Sequence, residues 1–128
     1  MARNGSDDAI RRGTTGVEQV EGLLAYAATQ SRRAALKSAR EAVALSRNVS
    51  NPLLLARALR TAATLLLPRR PAEALPLAQE AVSLCQPCGG APLVVSLTCL
   101  ANTLNALHRY GEAAEVMAAA EKLARQDP

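Results

Sequence analysis

The chain repeats itself every 39 residues, and that period constrains its fold more than any single residue does. Arg32–Ser46 reads RRAALKSAREAVALS, and Pro71–Cys85 reads PAEALPLAQEAVSLC. The segments agree at seven of fifteen positions: Ala35/Ala74, Leu36/Leu75, Ala39/Ala78, Glu41/Glu80, Ala42/Ala81, Val43/Val82 and Leu45/Leu84. A further step of the same length brings Glu112, Ala113, Ala120 and Leu123 into register with Glu73, Ala74, Ala81 and Leu84. A fixed period of this size marks stacked supersecondary units, because one unit alone cannot bury its apolar face. A stack of helix pairs offers an extended surface and no enclosed reaction chamber, so the repeat points to a scaffold before any residue points to chemistry.

Composition names the kind of unit. Of 128 residues, 27 are Ala and 20 are Leu, while Phe and Trp are absent and Tyr26 and Tyr110 are the only aromatics. Ala and Leu are strong helix formers. β-branched residues are few, so a sheet has little to be built from. The expected class is all-α. The net charge of +4 favours acidic partners only weakly, through solubility and steering. No apolar run approaches the ~20 residues that cross a bilayer. The early charges Arg3, Asp7 and Asp8 leave no secretory apolar core. Three cysteines, an odd number, argue against a disulfide framework. A cytoplasmic, reducing location is the expectation.

Start and stop signals place six helices. Residues 1–14 read as a flexible tail, and a helical repeat domain is expected over 15–128, in pairs of about 15–47, 52–86 and 91–126. Thr15 and Glu18 have capping-box spacing ahead of a first helix over Val17–Ala28. Ser31 caps a second that runs to Arg47. Asn51 before Pro52 couples an N-cap oxygen to a proline at the first helical position, and the third helix spans Pro52–Leu67. The fourth starts at Pro71. Pro76 lies more than a turn inside it, where it removes a backbone bond, so a kink is expected. Gly89, Gly90 and Pro92 precede a fifth helix over Ala91–Leu107. The sixth follows Tyr110–Gly111 and runs to Arg125.

The third pair carries a family resemblance. Leu100, Ala101 and Leu104, then Arg109, Tyr110, Glu112 and Ala113, then Ala120, resemble the tetratricopeptide repeat. Ala62, Leu65, Ala74 and Ala81 have the same spacings in the second pair, whereas the first pair has Leu23 where a small residue belongs. The period is five residues longer than the usual 34. The family's proline after the second helix is displaced, and its aromatic at the start is missing. The Ala/Leu/Arg-rich style resembles the arrays of high-GC bacteria such as actinobacteria. The resemblance implies three antiparallel helix pairs stacked as a short right-handed α-solenoid that binds a protein or peptide on its concave face. The family's carboxylate clamp would need Lys and Asn where this chain has Val20, Leu24, Arg60, Val95 and Cys99, so chaperone tails are not an expected partner.

On that template the first helix of each pair lines the groove. For the third helix the expected stripe is Ala56, Leu59, Ala63 and Leu66, an apolar face with Arg57 and Arg60 at its margins. For the fifth it is Val95, Thr98, Asn102 and Asn105, continued by Arg109; Thr98, Asn102, Asn105 and Arg109 form one stripe of a helix. Asparagine is a poor helix former, and its amide both donates to and accepts from an extended backbone. Arg57, Arg60, Thr98, Asn102, Asn105 and Arg109 are therefore the candidate binding residues, with a solvated polar face or interhelical hydrogen bonds as the alternative. Arg69–Arg70, in a loop, is a lesser candidate for an acidic partner or phosphate.

Reactive chemistry finds little support. Cys85–Gln86–Pro87–Cys88 has redox-motif spacing, but Cys85 falls at a helix C-terminus, where the dipole disfavours a thiolate. Zinc needs four ligands, and Cys99 and His108 lie half a revolution out of phase on one helix. His108 reads as a dipole partner at a helix end. A lone histidine supports no nucleophilic triad, and Gly89–Gly90 lacks the rest of a phosphate loop. No catalytic residue, metal or cofactor is expected. Two other roles compete with peptide binding. The last helix is apolar on more than one side, so Val116, Met117 and Leu123 are candidates for self-association as a homodimer, or for contact with further repeats of a longer array. Nucleic-acid binding has the positive charge in its favour but no aromatic stacking platform.

Overall fold

The computed structural model describes residues 16–28 and 31–126. Six helices account for most of them: α1 Gly16–Ala27, α2 Arg32–Ser46, α3 Pro52–Leu66, α4 Pro71–Cys85, α5 Gly90–Ala106 and α6 Tyr110–Gln126. No strand occurs among the described residues. The all-α expectation holds, and α2, α4 and α6 start at Arg32, Pro71 and Tyr110, in step with the 39-residue period. The tail over 1–14, the capping role of Thr15 and the last two residues fall outside the described residues.

Local chemistry sets the boundaries. The Ser31 hydroxyl accepts from the Ala34 amide, and Asn51 Oδ1 accepts from the Leu54 amide at 3.1 Å. Pro52 and Pro71 occupy first-turn positions, where a missing N–H costs nothing. α4 starts at Pro71 and runs as one helix through Pro76. It ends where the Gly89 amide returns to the Cys85 carbonyl, with Gly89 at φ 61°, ψ −152°. That region is open essentially to glycine alone. α5 closes differently. His108 adopts φ 61°, the Arg109 amide bonds the Leu104 carbonyl at 2.8 Å, and the His108 amide bonds the Asn105 carbonyl. This is a Schellman ending with histidine where glycine is usual. The His108 ring gains a contact in return: Nδ1 lies 2.6 Å from the Tyr110 hydroxyl.

Each helix packs along its neighbour in sequence, and in addition α1 touches α3 and α3 touches α5. α3 is central and contributes to all three apolar clusters. One joins Val20 and Leu24 of α1 and Ala42 of α2 to Leu54 and Ala58. A second joins Leu59 to Ala81, Val82 and Cys85 of α4 and Leu93 and Leu97 of α5, with Ala120 of α6. The third joins Ala63 and Leu66 to Ala74, Ala78 and Cys99. The small residues at repeat-equivalent positions (Ala35, Ala74 and Ala113; Ala42, Ala81 and Ala120) are all buried. Alanine there lets helix axes approach closely, and leucine fills the gaps between turns.

The backbones of α2, α4 and α6 do not approach one another as closely among the described residues. Long side chains bridge α2 and α4 instead. Arg47 donates to both Glu80 oxygens at 2.7 and 2.9 Å, and Arg40 lies 3.7 Å from Glu73. No helix among the described residues is long and apolar enough to cross a membrane.

Candidate functional site

The contact of α3 with α5 leaves a shallow groove of about 490 Å³. α3 contributes Arg57, Arg60, Thr61, Thr64 and Leu65, and α5 contributes Val95, Thr98, Cys99 and Asn102. The α3 residues recur at three- and four-residue steps, so they form one helical stripe.

Four predicted residues meet here: Arg57, Arg60, Thr98 and Asn102. Two do not. Asn105 is exposed, one turn beyond Asn102, and α3 ends at Leu66 before it can supply a facing wall. Arg109 lies past the left-handed turn at His108 and forms a two-pronged pair with Glu112 at 2.6 and 2.7 Å. The expected apolar stripe on α3 is corrected. Ala56, Leu59, Ala63 and Leu66 are buried in the clusters that α3 forms with α4 and α5, and none of them lines this groove. Thr61, Thr64 and Leu65 take the groove face that those residues were expected to hold. The spacing from Arg57 would have found them.

The groove is positive, because Arg57 and Arg60 line it, but more of its surface is apolar than polar. Arg57 is half-exposed and 4.0 Å from Glu21 of α1, a long and water-screened pair. Arg60 is held more firmly. Its Nη1 donates to Ser96 Oγ at 2.9 Å and lies 4.0 Å from Cys85 Sγ, and Ser96 and Cys85 are themselves in contact at 3.3 Å. This cluster ties α3, α4 and α5 together and aims one wall of the groove. Among the described residues no carboxylate lines the groove. Thr61 and Thr98 donate to the carbonyls of Arg57 and Val94, each at 2.9 Å. Their hydroxyl hydrogens are thus spent on their own helices, and the oxygens remain as acceptors. The Asn102 amide can donate and accept at once.

The cysteines are separated by this packing. Cys85 is buried at the end of α4, Cys88 is exposed, and both are free thiols, as is Cys99. Burial pushes the Cys99 thiol up from its ordinary pKa, against smaller downward pulls from the Thr64 hydroxyl and the Arg60 charge. Such a thiol is a weak nucleophile at neutral pH. Among the described residues no three His, Cys, Asp or Glu side chains gather to hold a metal.

The self-association candidates divide. Val116 and Leu123 pack against the central cluster, so their apolar surface is partly used within the fold. Met117 is half-buried, and Ala114, Ala118 and Ala119 are exposed. No protein-family model, curated protein or solved structure matches the chain.

Proposed function

We propose that this chain is a non-enzymatic scaffold that binds a protein or peptide, built in the manner of tetratricopeptide arrays as three antiparallel helix pairs in a short right-handed solenoid. Two features support that architecture. α2, α4 and α6 step by the repeat length, and α1 and α5 each touch α3, while among the described residues the backbones of α2, α4 and α6 stay further apart. Helices that approach on one side and splay on the other produce a curved stack with a concave inner face.

The observation that carries the binding role is the α3–α5 groove, where Arg57, Arg60, Thr98 and Asn102 converge. It presents backbone-compatible donors and acceptors beside two cations, which suits an extended peptide segment bearing an acidic group. The groove is too open and its groups too weakly activated for acid–base or nucleophilic work.

Selection from a displayed peptide library, followed by fluorescence anisotropy on the selected peptides, tests the reading. Asn102→Ala should weaken binding about tenfold, the loss of a hydrogen bond or two, while Asn105→Ala leaves it within a factor of two or so. Both variants should melt with the parent. Equal effects from the two, or a large stability loss in Asn102→Ala, would refute it.

A second reading is favoured by one observation. Among the described residues the backbone of α6 lies close to that of α5 alone, and its outer side sets Ala114, Ala118 and Ala119 in water. Self-association through that side predicts a dimer by light scattering that Met117→Glu dissociates. A monomer, or a dimer indifferent to this change, would remove it.

A further inference from the structure

The strongest concentration of positive charge lies outside the α3–α5 groove. Ser31, Arg32, Arg33 and Leu36 at the start of α2 form one wall of a second cleft, and Leu65, Leu66, Arg69 and Arg70 form the other. It encloses about 380 Å³, and among the described residues four guanidinium groups and no carboxylate line it. Arg32 Nη1 donates to the Leu65 carbonyl at 3.3 Å, which holds the two walls together. Arg70 lies 3.5 Å from Glu73 on its own helix, a pair in which both side chains are more than half exposed. Arg33 and Arg69 are exposed and have no acidic partner among the described residues. The neighbouring surface continues with Lys37 and Arg40, and its acids are Glu41 and Glu73.

Like charges gathered in one concavity repel, and the repulsion is relieved when an anion enters. Guanidinium forks match the oxygens of phosphate in pairs, a geometry that a point charge such as ammonium does not reproduce. The cleft also borders the N-terminus of α2. There the first amides after Ser31 lack helical acceptors and the dipole favours negative charge, which adds to the arginines without replacing them. Among the described residues no aromatic side chain lines the cleft, so they offer no surface on which a nucleobase could stack.

We propose that the cleft between the α2 N-terminus and the α3–α4 connection is a phosphate-binding site. Its ligand is a free phosphate or pyrophosphate anion, or the same group carried on a side chain of a bound peptide. Leu65 lines both this cleft and the α3–α5 groove, but the site does not depend on peptide binding in that groove.

Isothermal titration at about 0.15 M ionic strength, where long-range charge effects are screened, decides it. Pyrophosphate is the free-anion arm. A phosphoserine heptapeptide is the other, with its unphosphorylated form as reference. Saturable binding of one equivalent in either arm is expected, and the tighter arm identifies the source. Arg33→Gln with Arg69→Gln should weaken it at least about tenfold by removing two charge-assisted pairs. The corresponding double lysine variant should fall between, and Arg125→Gln, exposed on α6 and outside both the groove and the cleft, should change nothing. Melting curves matching the parent certify the fold. The proposal is overturned if neither ligand binds, if the double glutamine variant binds as the parent does, or if the unphosphorylated peptide binds as well as the phosphorylated one. It is also overturned if oligouridylate binds more tightly than pyrophosphate and loses affinity equally on Arg57→Gln, which would indicate an extended nucleic-acid surface.

Discussion

Leu59→Ala should cost about 4 kcal/mol, and the reason lies in what surrounds the side chain. Leu59 is fully buried in the cluster that holds Ala56 of its own helix, Ala81, Val82 and Cys85 of α4 and Leu93 and Leu97 of α5, so it sits where three helices join. Truncation removes three carbons, at about 0.8 kcal/mol each in transfer terms. The remaining hole adds about 24 cal/mol for each Å³ that neighbours fail to fill. Several of those neighbours are short: Ala56, Ala81 and Cys85 cannot swing inward. A void of roughly 70 Å³ would then contribute nearly 2 kcal/mol more. Against a typical total of about 5–15 kcal/mol, that is a severe loss. Urea denaturation followed by circular dichroism measures it. With a slope of about 2 kcal/mol per molar, the midpoint should fall by about 2 M while the slope stays constant. Leu53→Ala is the control, because Leu53 is on the same helix but 37% exposed, and it should cost less than about 1 kcal/mol. If the two variants lose the same stability, or if Leu59→Ala loses under about 1 kcal/mol, the central cluster is not what holds α3, α4 and α5 together.

Gly89→Ala should destabilise by about 1–3 kcal/mol through backbone strain alone. An added Cβ there meets nothing within 4 Å, and a thermal melt equal to the parent would contradict the left-handed link. Glu80→Gln should cost about 0.2–1 kcal/mol near neutral pH and less at high salt, because the Arg47 pair is partly exposed. Hydrogen bonding from Arg47 holds the Glu80 carboxyl below its ordinary pKa. Its contribution is therefore fully present above the ordinary carboxylate range and is lost as pH falls through the lowered value. Stability curves of parent and variant should converge in acid; a gap that persists there would assign the loss to packing.

Much of the local structure was legible along the chain. The alanine and leucine period located α2, α4 and α6, and Ser31, Asn51 and Pro52 act at the helix starts where their chemistry placed them. Other features were not legible. Nothing local marks His108 for a left-handed ending, because that conformation suits glycine and here depends on the Schellman bonds around it. The groove was half visible. Thr98 and Asn102 stand out on α5 because polar residues interrupt an apolar helix. On α3 the expected stripe ran through Ala56 and Leu59, and the groove face lies on Arg57, Thr61 and Thr64 instead.

Helical periodicity states which residues share a face; it does not state which neighbour that face meets. The sequence alone determined helix content, repeat register and the N-caps at Ser31 and Asn51, since each depends on residues within a few positions of one another. Only the tertiary structure decided that the apolar face of α3 turns toward α4 and α5. It also decided that Arg60 reaches Ser96, and that arginines at the starts of α2 and α4 share one cleft. Those outcomes depend on residues of different helices, the last two on residues more than thirty positions apart, brought together only when whole helices choose their packing partners.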